Sequence, residues 1–267
     1  DGIDLCSVTD ATIQDCFIRT YDDCITLKVN SLSVTATRDI RIKNNLIWAD
    51  YARGIVIGPE SGTNTRAGIS DCTIEDCVIM EYPTNLLETS SSKLNCDGAG
   101  LSISQYPSGG ATSGTIENIT FQNIVIDNIS QKGRPMVIWQ KANQDHALIK
   151  NVTYRNIQIL DEADRCQASG IYTNGNTISG LVFDKVTYNG TPIHQSGKWY
   201  TNENIDLMLM ERHISKKARL ASSKNHMKGP RKRSDKDDLN FEASFERLVE
   251  KHQHLDTSRM SGRAGVK

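Results

Sequence analysis

The amino-acid sequence predicts an all-β protein built as a right-handed parallel β-helix. Three observations predict this fold: a strand pattern that occurs six times, a second row of short strands between its copies, and the lack of helical periodicity before residue 200. Each copy has an Asp, Asn or Gly, then alternating apolar residues and a polar corner. Strand-and-turn repeats of roughly 30 residues are typical of stacked units that share one core.

The six copies are defined by their central apolar residues, and these are Ile13, Ile42, Ile74, Phe121, Tyr154 and Phe183. Asp and Asn recur at the corners because they tolerate left-handed backbone and form local hydrogen bonds in turns. The step from Ile74 to Phe121 is 47 residues, the longest of the series. It contains the polar run 89–92 and the turn-forming run 107–110, so we predict a loop insertion on one face.

Composition divides the chain near Tyr200. Residues 1–200 carry an excess of acidic residues and are assigned to the β-helix, whereas 201–267 carry an excess of basic ones. The sequence opens on Gly2–Leu5, which already has strand character. We therefore expect further N-terminal coils, or another chain, to cover this first coil, because folded proteins seldom leave a strand edge open.

The basic C-terminal extension, 201–267, is predicted to be helical in part or disordered. Apolar spacing over 203–220 favours a helix capping the last coil, and spacing from Phe241 to Val249 favours a second helix. The run 228–233 is basic, which is typical of a solvated linker and less often of a nucleic-acid contact. Since no binding motif accompanies it, we predict no nucleic-acid partner. No apolar run approaches the roughly 18 residues of a membrane span, so no membrane partner is predicted either.

Seven cysteines are scattered through the chain without a Cys-x-x-Cys pair. Zinc sites usually contain such pairs, so no metal or other cofactor is predicted. Cys16 and Cys77 occupy the same slot of the repeat, which favours buried apolar fillers of the stack.

Acidic residues collect where the second row of strands begins. When the strands are aligned by their first apolar residues, Asp1, Asp23 and Arg53 fall in register on successive coils. Asp22 lies directly beside Asp23, and Asp4 follows on the first strand. Neighbouring carboxylates repel, and this raises the pKa of at least one of them. The residue pattern also fits ordinary turn residues at strand entrances, so both interpretations stay open at this point.

The sequence Asp1-Gly-Ile-Asp4, followed by Tyr21-Asp-Asp-Cys-Ile25, resembles the core of the polygalacturonase family of glycoside hydrolases, the pectin-degrading β-helix enzymes. The motifs of that family are Asn-Thr-Asp, Asp-Asp, Gly-His-Gly and Arg-Ile-Lys, and the resemblance covers about residues 1–195. It implies that Asp22 is the general acid and that Asp1 and Asp23 hold the attacking water. It also implies inversion of configuration, for which acid and base are typically about 6.5–9.5 Å apart.

Two departures from the family pattern affect substrate binding. Arg53 stands where the family has histidine, and residues 98–106, where Arg-Ile-Lys is expected, contain no cation. Because guanidinium binds carboxylates bidentately, Arg53 is predicted to bind a substrate carboxylate. The alternative is a neutral glycan. Asp4, Glu60 and Tyr106 are predicted to line the same substrate groove.

Three functions are compatible with this sequence. The leading hypothesis is a glycoside hydrolase cleaving a polysaccharide, pectin-like or related, with inversion. The second is a non-catalytic glycan-binding or structural β-helix, favoured by the missing motifs. The third is a calcium-dependent polysaccharide lyase in which Asp4 and Asp23 hold calcium and Arg53 is the base. Asn-x-Ser/Thr sequons favour a secreted, extracellular or periplasmic protein, and they begin at Asn118, Asn128, Asn151 and Asn189.

Overall fold

The structure is a computed structural model. It describes residues 1–29, 35–61, 67–81, 99–105, 114–127, 133–140, 148–161, 164, 166–172, 178–201 and 207–210. The chain divides into two compact units, Asp1–His213 and Ile214–Lys267. The second unit lies outside the described residues, as do the predicted second helix and the basic run 228–233.

Almost all of the described chain is β-strand. In chain order the strands are β1 Ile3–Cys6, β2 Thr9–Gln14, β3 Phe17–Thr20, β4 Ile25–Lys28, β5 Thr37–Lys43, β6 Leu46–Ala49, β7 Arg53–Ile57, β8 Ile69–Glu81, β9 Ala99–Gln105, β10 Ile116–Asp127, β11 Arg134–Gln140, β12 Ile149–Leu160, β13 Ser169–Tyr172, β14 Ile178–Tyr188, β15 Thr191–Pro192, β16 Trp199–Thr201 and β17 Leu207–Met210. A single-turn 3-10 helix, Ile193–Gln195, precedes β16.

The strands form two main sheets. Strands that pair within a sheet come from successive coils of the chain, apart from the antiparallel pair β14 and β15. The front sheet has the order β1-β4-β7-β9-β11-β13-β16, and the back sheet has the order β15-β14-β12-β10-β8-β5-β2. Strand β3 pairs β6, which pairs β8, and β17 pairs β14. All pairs except β14 with β15 are parallel. The predicted parallel β-helix is therefore confirmed.

The strand register predicted from the six-fold repeat is present along the whole back sheet. The six central apolar residues pair one to the next, from Ile13 with Ile42 to Tyr154 with Phe183. Leu209 on β17 pairs with Phe183 and continues the column. Phe121 and Tyr154 stack with ring centroids 4.9 Å apart, and Phe183 meets Tyr154 edge-on at 5.1 Å. The six central residues from Ile13 to Phe183 all belong to the hydrophobic core.

Left-handed residues shape the corners, as predicted from their Asp and Asn content. Each back-sheet repeat carries two positions with φ between 51° and 64°, and they are 10 and 15, 39 and 44, 71 and 76, 118 and 123, 151 and 156, and 180 and 185. Their side chains bond from coil to coil: the amide of Asn118 donates to Asp71, and that of Asn151 donates to Asn118. The corners therefore set both the bend of the chain and the stacking of each coil on the next.

The long step between Ile74 and Phe121 is an insertion. These two residues are register partners on adjacent strands, so the additional chain leaves the stack and returns to it. The runs 89–92 and 107–110, which predicted the loop, lie outside the described residues.

The predicted capping helix over 203–220 is wrong for residues 207–210. These residues form β17, which extends the back sheet beside β14. Alternating apolar positions at Leu207 and Leu209 suit a strand as well as a helix, and the exposed edge of β14 offers the backbone partners. The remaining residues of that predicted helix lie outside the described part of the chain.

The cysteine interpretation holds in part. Among the described residues, Cys24, Cys72, Cys77 and Cys166 are buried, whereas Cys6 is exposed and Cys16 is half-buried. All six are free thiols.

We predict that Asn123→Ala destabilises the β-helix by about 1–3 kcal/mol, because alanine loses both the left-handed preference and the side-chain ladder. Asn123 has φ 53°, donates to Asp76 and accepts from Asn156, each at 3.0 Å. Urea unfolding followed by circular dichroism measures the change. Asn123→Gly keeps the backbone freedom but not the hydrogen bonds, so its loss should be smaller. Equal losses would mean that the left-handed backbone contributes nothing.

Candidate active site

The front sheet places the predicted acids on consecutive coils. Ile3 pairs with Ile25, and Ile25 pairs with Ile55, so the residues two positions earlier fall in one row. That row is Asp1, Asp23 and Arg53. The amide of Gly2 donates to the carbonyl of Asp23 at 2.8 Å, and the amide of Cys24 donates to that of Arg53 at 2.9 Å. The predicted register of this row is therefore present.

Glycine allows the coils to approach closely at this entrance. A Cβ on Gly2 would lie 2.5 Å from the carbonyl oxygen of Cys24, and one on Gly54 would lie 2.7 Å from that of Gly100. Any larger residue would push the first coil away from the second. The two glycines therefore help to hold the acids of neighbouring coils near one another.

Asp1, Asp22 and Asp23 form one cluster, in which one carboxylate oxygen from each lies within 4.8 Å of the other two. Asp1 and Asp22 are exposed, and Asp23 is buried with 3% of its surface accessible. The spacing is shorter than the roughly 6.5–9.5 Å expected between the acid and the base of an inverting glycosidase, and closer to the roughly 5–5.5 Å of a retaining pair. The expected wide separation is therefore not found.

Asp23 is held by Arg53 on the next coil. The guanidinium donates from Nε to Oδ1 and from Nη2 to Oδ2, each at 2.7 Å, and the Arg53 amide adds a bond to Oδ1 at 3.1 Å. Burial raises the pKa of Asp23, and the charge and hydrogen bonds of Arg53 oppose that rise. Asp23 is thus a fixed, desolvated carboxylate with both oxygens engaged.

Asp1 is held by Lys28, a residue that sequence reasoning missed. The Lys28 ammonium lies 2.8 Å from Asp1, 3.1 Å from Asp4 and 3.4 Å from Glu60. Burial alone would lower the pKa of Lys28, but the hydrogen bond and charge of Asp4, together with Glu60, outweigh it and raise the pKa. The alternation Thr26-Leu27-Lys28 on β4 was the available signal, because it turns Lys28 to the same face as Asp4 and Thr26.

Asp22 differs from the other two acids. Its Oδ1 accepts the backbone amide of Asp23 at 3.0 Å, and it has no cationic partner among the described residues. The geometry therefore separates two cation-paired carboxylates from one that carries no ion pair in the described structure.

The remaining predicted site residues have different positions. Asp4 and Glu60 join the cluster through Lys28. Arg53 is predicted to bind a substrate carboxylate. In the structure its Nε and Nη2 both donate hydrogen bonds to the carboxylate of Asp23. Tyr106 lies outside the described residues. Strand β9 lies where the family pattern has Arg-Ile-Lys. It carries Ser102 and Ser104 instead, whose buried hydroxyls are 2.7 Å apart.

Three neighbouring carboxylates are a possible cation site, but their partners argue against one. Arg53 already engages both oxygens of Asp23, and the ammonium of Lys28 is shared by Asp1 and Asp4. A calcium ion requires several uncommitted oxygen ligands. The donor set therefore does not fit a metal, and the predicted calcium role of Asp4 and Asp23 gains no support from this geometry.

A parallel β-helix with clustered acids on one sheet defines a class of polysaccharide-processing proteins, and sequence comparison makes this class specific. The family model for glycosyl hydrolases family 28 matches residues 1–190. The chain belongs to this family. It is 28% identical over 171 residues to polygalacturonase QRT2 of Arabidopsis thaliana and 29% identical over 167 residues to a polygalacturonase of Persea americana. Each alignment covers 59% of this chain, and it spans only 31% and 30% of those proteins.

The C-terminal part belongs to a second family. A family model described as "Uncharacterized BCR, YaiI/YqxD family" matches residues 179–251. A UPF0178 protein of Clostridium acetobutylicum is 49% identical over 111 residues, covering 38% of this chain and 73% of that protein. The two matches overlap on β14. No solved structure matches the chain. Among the described residues, no helix has the length and apolar character of a membrane span.

We predict that Arg53→Met lowers the free energy of unfolding by about 3–5 kcal/mol at neutral pH, because it leaves a buried carboxylate unpaired. The loss should shrink in acid. The folded-state pKa of Asp23 already exceeds its unfolded value and rises further in the variant, so the folded protein takes up this proton first as pH falls.

Urea titrations across a pH series measure this dependence. Arg38→Met is the matched control, since Arg38 pairs with Asp39 on an exposed surface and should contribute no more than about 1 kcal/mol. A pH-independent loss in Arg53→Met would show that the charge of Asp23 is not the cause.

Proposed function

We propose that this protein hydrolyses glycosidic bonds of a polysaccharide, pectin-like or related, with Asp22 as general acid and with Asp1 and Asp23 as the bases that hold water. One observation carries the proposal: three carboxylates from two neighbouring coils come within 4.8 Å of each other in a chain of glycosyl hydrolases family 28. An acid and a base on opposite sides of the scissile bond are the minimum machinery for such hydrolysis.

The spacing of Asp1 and Asp23 suits one shared water. Two acceptors hydrogen-bonded to the same tetrahedral water are roughly 4.5 Å apart, given hydrogen bonds of about 2.8 Å. The cluster has this size. Lys28 and Arg53 lie against the two carboxylates and favour their charged forms, in which a carboxylate can accept a proton from the water as it attacks the anomeric carbon.

Hydrogen bonding makes Asp23 a poor nucleophile even though the acids are close together. Retention requires one carboxylate to attack carbon, whereas both oxygens of Asp23 are engaged by Arg53. Asp22 lacks an ion pair within the described structure and is exposed, which suits a proton donor that must reach the leaving oxygen. In a single displacement the water adds to the anomeric carbon, its proton passes to a base, and Asp22 protonates the departing sugar.

The front-sheet row beside the acids contains two hydroxyl side chains, Thr26 and Ser102, and both are buried. Asp4, Thr26, Val56 and Ser102 are register partners on successive coils. Thr26 Oγ1 is buried and has no hydrogen-bond partner among the described residues. A polymeric substrate implies action outside the cytoplasm, and we propose a secreted or periplasmic location on that ground.

We predict that Asp22→Asn reduces hydrolysis by about 100-fold or more, because the variant lacks the proton for the leaving group. Reducing-end release from polygalacturonate and from neutral galactan measures the effect. Asp39→Asn, on the back sheet, is the control and should retain full activity with an unchanged fold. Undiminished turnover by Asp22→Asn would remove Asp22 from the acid role.

The same reactions distinguish the alternatives. Proton NMR of the first product should show the inverted anomer; the retained anomer would make Asp1, the base with a less engaged carboxylate, a nucleophile. An ultraviolet-absorbing unsaturated product would indicate a lyase. Binding without turnover in the unmodified chain would indicate a glycan-binding module.

We predict that Lys28→Met moves the acidic limb of the pH–activity profile to higher pH, because Asp1 loses the neighbouring cation that favours its charged form. The charged side chains near Asp1 are Lys28, Asp22, Asp23 with Arg53, and Asp4 with Glu60 around Lys28. Most are acidic, so removing Lys28 leaves the carboxylates to repel one another.

Lys28→Arg should restore the profile, and Lys150→Met, on the back sheet, should leave it unchanged. A uniform loss of rate without a shift of the acidic limb would show that Lys28 acts only on the fold.

A further inference from the structure

We propose that Tyr21 and Tyr51 form a stacking platform for one pyranose ring of the substrate, directly beside the acid cluster. The inference deepens the proposed function and rests on it for the identity of the ligand as a saccharide. It assigns a subsite to two side chains that take no part in the acid–base chemistry.

The two rings are parallel and accessible. Their centroids are 5.2 Å apart with an interplanar angle of 13°. Tyr21 is 62% exposed and Tyr200 is 48% exposed, whereas the other large apolar side chains of the described structure are buried or half-buried. An exposed aromatic face next to a polar cluster is a typical place for ligand contact, since its apolar surface gains most from being covered.

The platform has a fixed position relative to the acids. Tyr21 directly precedes Asp22, and Tyr51 lies two residues before Arg53 on the next coil. The amide of Asp50 donates to the carbonyl of Thr20 at 2.8 Å, which joins the two turns that carry the rings. A sugar bound on the platform is therefore held at the entrance to the row of Asp1, Asp23 and Arg53.

Neighbouring contacts hold both turns in place. Arg19 forms an ion pair with Asp50 at 2.9 Å, and its guanidinium lies over the Trp48 ring at 4.9 Å from the centroid. These contacts link β3 to β6 and to the residue after it, just ahead of the two tyrosines in the chain. A platform ordered before binding loses little entropy when the ligand arrives.

A pyranose ring is the ligand that fits this chemistry. One of its faces presents C–H groups that pack on an aromatic ring, while its hydroxyls project sideways to polar groups and water. The adjacent sugar unit can then extend from the platform toward Asp22. This arrangement would fix which linkage of the polymer meets the acids.

Saccharide binding is measured by calorimetry in the Asp22→Asn variant, the parent for this experiment, because this variant should not hydrolyse the ligand. The probes are oligogalacturonides and neutral galacto-oligosaccharides. Adding Tyr21→Ala should weaken binding about fivefold to tenfold, as expected for the loss of one aromatic stacking contact. Tyr21→Phe should stay within about twofold of the parent, because it keeps the flat ring. Tyr200→Ala is the matched control: it removes the other exposed tyrosine, which stacks on Tyr172, and should not change affinity.

Two outcomes overturn the platform: unchanged affinity in Tyr21→Ala, or no saccharide binding by the parent. Tyr21→Leu guards against a fold defect, since it keeps apolar bulk without a flat face and should also bind weakly. The proposed function fails separately. If Asp22→Asn still hydrolyses substrate while Tyr21→Ala weakens binding, the acid assignment is wrong and the platform stands.

Discussion

Parallel backbone pairing in fixed register is the interaction on which the rest of this structure depends. Residues far apart in the chain become neighbours only because each coil returns to the same height, one strand spacing above the last. Left-handed corners such as Asn118 and Asn151 set that return, and their amides bond from coil to coil. The same register that stacks Phe121 on Tyr154 in the core brings Asp23 beside Arg53 at the entrance of the front-sheet strands. A slip of one residue would destroy both.

Charge within the acid cluster is distributed by this register. Asp23 obtains Arg53 from the coil above it, and Asp1 obtains Lys28 from the far end of β4. Each pairing stabilises a carboxylate that burial or crowding would otherwise penalise. Asp22 lies at the turn, where the described structure provides no cation. A proton donor and two proton acceptors can therefore arise from three identical side chains, because their neighbours differ.

Register was predictable from sequence, and side-chain partners were not. The alternation around Ile13, Ile42 and Ile74 fixed the back-sheet column, and aligning the second row of strands by their first apolar residues was enough to place Asp1 near Asp23. Arg53 was found in the right row, but its partner was misjudged, because spacing alone cannot tell whether a guanidinium turns toward a carboxylate or into the groove. The role of Lys28 was not predicted, because its ion pairs join Asp1 and Asp4 to Glu60 on a different coil. The spacing within one strand does not reveal such contacts. The strand at 207–210 was misread because four alternating residues fit either period.

The overlap of two families on β14 has a physical explanation within the first unit. A parallel β-helix ends in a strand edge whose backbone groups need partners. Strands β16 and β17 supply them on the front and back sheets, beside β13 and β14. Both lie within the segment that matches the YaiI/YqxD family rather than the glycosyl hydrolases. Adding a rung requires only extended backbone with apolar residues at alternate positions, such as Leu207 and Leu209. Residues that match a different family can therefore extend the stack without contributing to the acids, which lie at the opposite end of the front sheet.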